Sequence, residues 1–353
     1  MTKYFVGHST DNDIRFKSSS GGIGTAIMKY LLDSGLYNMA ITFLFDPKEV
    51  LYKPILIKSA SEIRIHGSIY QDIDIFSFIK ENLSHIHGGI VVSCPPCQVV
   101  PIKNLLQKNE IKCFVISFCC SGQMRVEGTW CYYRFLGIKK EDIINMQYRG
   151  NGWPSGIQIW QKNGTKIYRD NFTEPWSTIH RSNFYKPKRC LYCKLDTSYK
   201  SDLSLADPWL NNYLENDSIG NTLFIVNTEQ GDTIIKDMAL KNIVEFMPTD
   251  YNSYYQAQRP NVEKANRIRN QRRFLHILTR LMEKPWYRDY FSKTPSRMRK
   301  HIKLYQRLYD FSTWNNVNSM LVRIIKKIKF KIRYMCISPK LGSHGKHFNI
   351  SGG

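Results

Sequence analysis

Short apolar runs separated by amphipathic stretches set the reading of this chain. YFVGH (4–8), MAITFLF (39–45), GIVVS (89–93), CFVISF (113–118), IINMQY (143–148) and LFIVN (223–227) are rich in β-branched and aromatic residues and have strand length. Helical patterns lie between them. Ile23, Ile27, Tyr30 and Leu31 recur at i, i+4, i+7 and i+8, one helical face that stops at Gly35. FSFIKENL (76–83) and the stretches 99–108 and 124–136 read as further helices. GIQIWQKNGTKIYR (156–169) alternates on both sides of Asn163-Gly164 and predicts a hairpin with a type I′ turn. Strands that alternate with helices in this way predict an α/β fold, a mixed sheet with flanking helices.

From about residue 259 the pattern changes. NRIRNQRRFLHILTRLMEK (266–284) and SRMRKHIKLYQRLYDF (296–311) are helical and basic, and SMLVRIIKKIKFKIRYM (319–335) alternates basic with apolar residues. The chain therefore divides into a body, residues 1–250, and a basic helical C-terminal tail, residues 259–353. Of the net charge of +22, +19 falls in the tail, which leaves the body nearly neutral. An amphipathic basic helix suits an anionic membrane surface; packing of the basic helices on the protein's own body is the rival. No nucleic-acid module accompanies the charge, and none is expected as a partner. The N-terminus lacks the apolar core of a secretory signal, and no apolar stretch has the length of a span. A cytoplasmic protein, peripheral at most on the inner membrane face, is expected, and there nine cysteines point to metal or redox chemistry.

Those cysteines have a pattern. Cys97 in VVSCPPCQVV and Cys120 in VISFCCSG each follow a predicted strand and precede a predicted helix, whereas Cys190 and Cys193 form the CxxC of RCLYC. Strand-to-helix turns lie on the carboxyl edge of an α/β sheet, where ligands bind. Three chemistries compete: a 4Fe-4S cluster on Cys97, Cys120, Cys190 and Cys193; zinc on two CxxC knuckles, Cys94 with Cys97 and Cys190 with Cys193; and a thiol–disulfide pair in CPPC. Cys113 and Cys131 read as buried small apolar residues. SSSGG (18–22) opens a helix and presents backbone N–H groups that suit a phosphate, although neither a Walker A sequence nor GxGxxG is matched.

In order along the chain come SSSGG with its helix, the PCQ turn (Pro96, Cys97, Gln98), a strand ending in Cys-x-Gly (Cys120, Gly122), YRGNGWPSG (148–156), and CxxC followed by SDLSLADPW (Cys190 to Trp209). Over roughly residues 1–245 this order resembles the beta-subunit family of coenzyme F420 hydrogenases and dehydrogenases, similar members of which occur in bacterial polysaccharide clusters. The resemblance implies an enzyme with FAD and one 4Fe-4S cluster, an oxidoreductase that passes electrons between a carrier protein and an organic acceptor. It makes Cys97, Cys120, Cys190 and Cys193 the metal ligands. Ser19, Ser20, Gly21, Gly22 and Thr25 are candidates for the flavin pyrophosphate, with Gln98, Asp202 and Asp207 as further cofactor contacts. No catalytic residue is assigned. Relatives often begin with a ferredoxin-like module, and none precedes Tyr4, so a separate carrier such as a ferredoxin is the expected partner. A non-catalytic, zinc-stabilised scaffold of a polysaccharide assembly system is the reading from another class. The final LGSHGKHFNISGG resembles the start of a left-handed β-helix acyltransferase.

Overall fold

Two sheets carry the chain in the computed structural model, which describes residues 2–312 together with 325 and 327–329. The strands are β1 (Lys3–Ser9), β2 (Met39–Asp46), β3 (Leu51–Ile57), β4 (Gly89–Ser93), β5 (Lys112–Phe118), β6 (Ile143–Gln147), β7 (Gly156–Gln161), β8 (Lys166–Asp170), β9 (Leu203–Ala206), β10 (Thr222–Val226) and β11 (Val244–Thr249). The helices of the first half are α1 (Asn12–Lys17), α2 (Ile23–Asp33), α3 (Ile75–Glu81), α4 (Pro96–Lys108) and α5 (Glu127–Phe135). Those that follow are α6 (Trp176–Ser182), α7 (Lys188–Leu191), α8 (Asn211–Asn216), α9 (Glu229–Leu240), α10 (Tyr251–Val262), α11 (Lys264–Met282), α12 (Pro285–Ser292) and α13 (Pro295–Ser312).

The main sheet runs β11-β1-β10-β9-β5-β4-β2-β3, and β6-β7-β8 form a separate antiparallel sheet. β2, β4, β5 and β9 are mutually parallel, and β10 is antiparallel to both β9 and β1, so β1 points the same way as these four. The segments that leave β1, β4, β5 and β9 consequently open on one carboxyl edge. That topology gathers SSSGG, Cys97, Cys120 and Asp207 from positions about 190 residues apart in sequence.

Alternation along the strands explains why the apolar runs are continuous. Ile90 and Val92 face one side with α4 (Val99, Ile102, Leu106), while Val91 and Phe114 face the other with α2 and α9 (Ile27, Leu31, Ile235). Four departures from the sequence reading have physical causes. The segment SDLSLADPW holds β9, a central strand of only four residues with Ser204 inside it, too short for a periodic signal. β3 contains Pro54 and is tolerated because it lies on the sheet edge. α4 begins at Pro96 rather than 99, with proline in its first turn, and this puts Cys97 on the helix N-terminus. The hairpin turn is not type I′: only Gly164 takes positive φ, and Gln161 pairs with Thr165 across a three-residue loop.

The basic segments do not begin a separate unit at residue 259. Leu278, Met282, Tyr287, Phe291 and Met298 belong to the same core cluster as Ile90 and Val115. His301, fully buried, accepts from the Tyr287 hydroxyl at Nδ1 (2.7 Å), and its Nε2–H donates to the carbonyl of Ser182 on α6 (3.0 Å). For residues up to Tyr305 self-packing accounts for the helices, and Ile328 also packs against this cluster. Most of the amphipathic stretch 319–335, and the final LGSHGKHFNISGG, lie outside the described residues. None of the described helices is long and apolar enough to cross a membrane.

A buried ion pair fixes the loops of the carboxyl edge. Arg149, 2 % exposed at its side chain, grips Asp207 through both terminal nitrogens (2.6 and 2.9 Å). It also donates to the Ser19 carbonyl (2.7 Å) and the Ser155 hydroxyl (3.2 Å). Asp207 accepts a further bond from the Trp153 indole (3.2 Å), and its carbonyl takes one from Gln258 (2.7 Å). One guanidinium thus joins the SSSGG loop, the 148–155 loop and the end of β9. Asp207 and Tyr70 more than offset the desolvation of Arg149, and it stays charged.

Two outcomes follow from this packing. Arg149→Met leaves Asp207 without its counter-charge and should lower unfolding free energy by about 3–5 kcal/mol; Asp207→Leu in the same chain should recover a large part, as chemical denaturation would show. Burial lowers His301 to about 4, from an ordinary value near 6.5, so the unfolded chain binds the extra proton between those pH values. Stability should be full above about pH 6.5 and fall as the pH drops toward 4, less steeply in His301→Gln; equal pH profiles would contradict this.

Candidate functional site

Four thiols from three segments lie near one another at the carboxyl edge. Cys97 sits in the first turn of α4, Cys120 follows β5, Cys190 is on α7, and Cys193 lies just beyond it. Cys97 is exposed as a residue, yet partial desolvation of its thiol and the neighbouring Cys193, Cys120 and Cys190 push it up to about 11. Cys120 is raised by burial and by Cys190 and Cys193, while the Gly122 N–H, 3.3 Å from its sulfur, and Lys264 act the other way. Cys190 is raised by burial and Cys193, against the Gln123 N–H and Arg189. Each of these thiols therefore lies in the field of the others.

Local structure holds the three segments in place. The Cys120 N–H donates to the Asp196 carbonyl (2.8 Å), which ties the end of β5 to the loop after CxxC. Gly122, at φ +114°, passes close to Cys190. Lys186 donates to the Ser121 carbonyl (3.1 Å), and Arg189 pairs with Asp72. Tyr192 and Thr279 hydrogen-bond at 3.2 Å, so α11 buttresses the CxxC loop.

The donor chemistry of this quartet fits an iron–sulfur cluster: thiolate-forming side chains only, backbone N–H groups aimed at the sulfurs, and cations nearby. Among the described residues no three His, Cys, Asp or Glu are arranged to hold a single metal ion. The zinc reading needs Cys94, which is 1 % exposed and packed in the core with Val92 and Val99. Burial raises the Cys94 thiol far above its usual range, and it senses Cys97 and Cys113 but not the CxxC pair.

Several expected cofactor contacts are occupied by the protein itself. Gln98 caps α3: its carbonyl accepts from Ile75 (2.9 Å) and Phe76 (3.1 Å), and its amide donates to Ile73 (2.9 Å). Asp202 lies at the start of β9, at the level of Val115 in mid-strand, away from the carboxyl edge. Its carboxylate accepts from the Val115 N–H (2.7 Å), Thr228 (2.9 Å) and Lys103 (3.3 Å). Asp207 is at the right edge but engaged by Arg149.

The Ser/Gly loop is likewise built around internal needs. Ser19 bonds Ser68, and Ser20 and the Gly21 N–H both bond Thr222 (2.9 Å each). A side chain at Gly21 would run into the Gly7 carbonyl, and one at Gly22, at φ +78°, into Ile14. Packing thus explains both glycines, and a substitution there disturbs the fold itself. What the loop leaves open is the first turn of α2, which has no side-chain cap and no acidic residue; half-buried Thr25 stands in it. Such free N–H groups at a helix start suit an anionic group.

Sequence reasoning missed Arg149, although YRGNGWPSG was singled out, and missed Lys264. A lone arginine in a glycine-rich loop and an acid after a strand were the available signal for the first. Nothing in the basic run distinguished the second.

Residues 4–80 match the description "Coenzyme F420 hydrogenase/dehydrogenase, beta subunit N-term", and residues 88–251 match the corresponding C terminus. Among solved structures, the chain is similar to one in the xenon-derivatized F420-reducing [NiFe] hydrogenase complex from Methanosarcina barkeri. The identity is 16%, the match covers 77% of this chain and 92% of that chain, and the TM-score of 0.58 supports the fold. The chain belongs to the coenzyme F420 hydrogenase/dehydrogenase beta-subunit family.

Proposed function

We propose that this protein is an oxidoreductase subunit that holds a 4Fe-4S cluster on Cys97, Cys120, Cys190 and Cys193 and FAD beside it, and passes electrons between a separate carrier protein and an organic acceptor. The observation that carries the proposal is the proximity of four thiols from three distant segments on one sheet edge. The cluster would supply one-electron transfer and the flavin would couple it to a two-electron acceptor. The chain's own part is to converge the thiols, to set counter-charges (Lys264, Arg189) near them, and to keep the edge rigid through Arg149. The N–H groups of Ile23, Gly24 and Thr25 would take the flavin pyrophosphate, with Ser19 to Gly22 holding the loop's shape. A deazaflavin, which the family description names, and a sugar or sugar nucleotide, which accords with relatives in polysaccharide clusters, are the two candidate acceptor classes.

Serine substitutions test the ligand set in chain purified without oxygen. Each of Cys97→Ser, Cys120→Ser, Cys190→Ser and Cys193→Ser should lose most of the visible iron–sulfur absorbance, while Cys94→Ser should keep it. Full absorbance in Cys120→Ser would remove that residue from the set. For the flavin, Thr25→Glu is the cleaner variant than a glycine replacement. An acid in the first turn favours the helix dipole but repels a phosphate, so the chain should fold normally and lose bound FAD. Unchanged FAD content in Thr25→Glu would move the flavin elsewhere.

A further inference from the structure

Lys264 opens α11, thirteen residues beyond the end of the family match at residue 251, and it is 8 % exposed. Its ammonium donates to the carbonyl of Cys120 (2.7 Å). Its charge acts on Cys120 and also on Cys119, which burial pushes up to about 12. None of the carboxylates among the described residues forms an ion pair with it. Asp196, whose carbonyl accepts from the Cys120 N–H (2.8 Å), has its carboxylate bonded by the Tyr254 hydroxyl (2.8 Å). A buried ammonium whose partner is a neutral carbonyl is costly unless an anion sits close by. The anion-forming side chains of this turn on which its charge acts are two thiols, Cys120 of the quartet and the neighbouring Cys119.

We infer that Lys264 is the built-in counter-charge of the thiolate-bound redox centre, supplied by the C-terminal helices rather than by the family body. The inference rests on the ligand reading above and assigns those helices a part in the redox site. A fixed positive charge beside an iron–sulfur centre stabilises its more negative, reduced form and raises its reduction potential. Tyr192–Thr279 and Lys188–Glu283 (3.3 Å) hold the far end of α11 against the CxxC loop, so the helix that carries Lys264 is anchored at both ends of the site. Lys264 acts through the centre's electrostatics and is a positioning and tuning residue.

Redox titration of the full chain, followed by EPR, reads this directly. Lys264→Gln keeps a donor for the Cys120 carbonyl and removes the charge; its midpoint potential should move to more negative values at unchanged iron content. Lys264→Arg keeps the charge and should stay near the parent. In the metal-free chain, thermal melting of Lys264→Gln should match or exceed the parent, because an unpaired buried charge has gone. A loaded Lys264→Gln with the parent's potential, or a metal-free one that melts well below the parent, would leave Lys264 a structural residue and overturn the inference. A parent chain that binds neither iron nor sulfide would overturn the ligand reading and this inference with it.

Discussion

The Arg149–Asp207 pair is the constraint on which the carboxyl edge depends. Loops on a sheet edge have no ladder of their own, and here three of them share one buried guanidinium. One of its bonds is to a backbone carbonyl, that of Ser19; the others go to the Asp207 carboxylate just after β9 and to the Ser155 hydroxyl just before β7. A buried pair of this kind is weak evidence for net stability, because desolvation offsets much of the attraction. Its effect is to make one arrangement of the three loops far better than any other. The thiol quartet stands on the same edge, and its segments are tied by ordinary backbone bonds to β5 and the loop after CxxC.

Much of this was legible in the sequence, for definite reasons. The strands that carry Cys97 and Cys120 are continuous apolar runs because both sheet faces are covered, and their direction follows from the helices that cross over them. The four cysteines that the resemblance implies as ligands come from three segments near one sheet edge and lie in one another's field, and their role as ligands is the proposal. Gln98, Asp202 and the glycines at 21 and 22 were less well served. A polar residue in a motif looks the same whether it binds a cofactor or satisfies a buried backbone group, and only the partners tell. Gln98 satisfies the start of α3, and Asp202 satisfies Val115 and Thr228.

The basic helices show the same limit. Charge counted along the sequence suggested a surface tail, yet Met298, His301 and Tyr287 turn one face of it into core. The charges that remain outward can serve another surface; the inward ones, Lys264 above all, belong to the site. This distinction follows from burial rather than composition, and it makes described residues beyond 251 part of the same packed core as the body.

Iron and acid-labile sulfide, measured together on the full chain isolated without oxygen, test the central claim most directly. The account predicts the two in equal amounts, with an EPR signal that appears on chemical reduction. Stoichiometric zinc, or a fully folded chain that cannot be reconstituted with iron and sulfide, would contradict it.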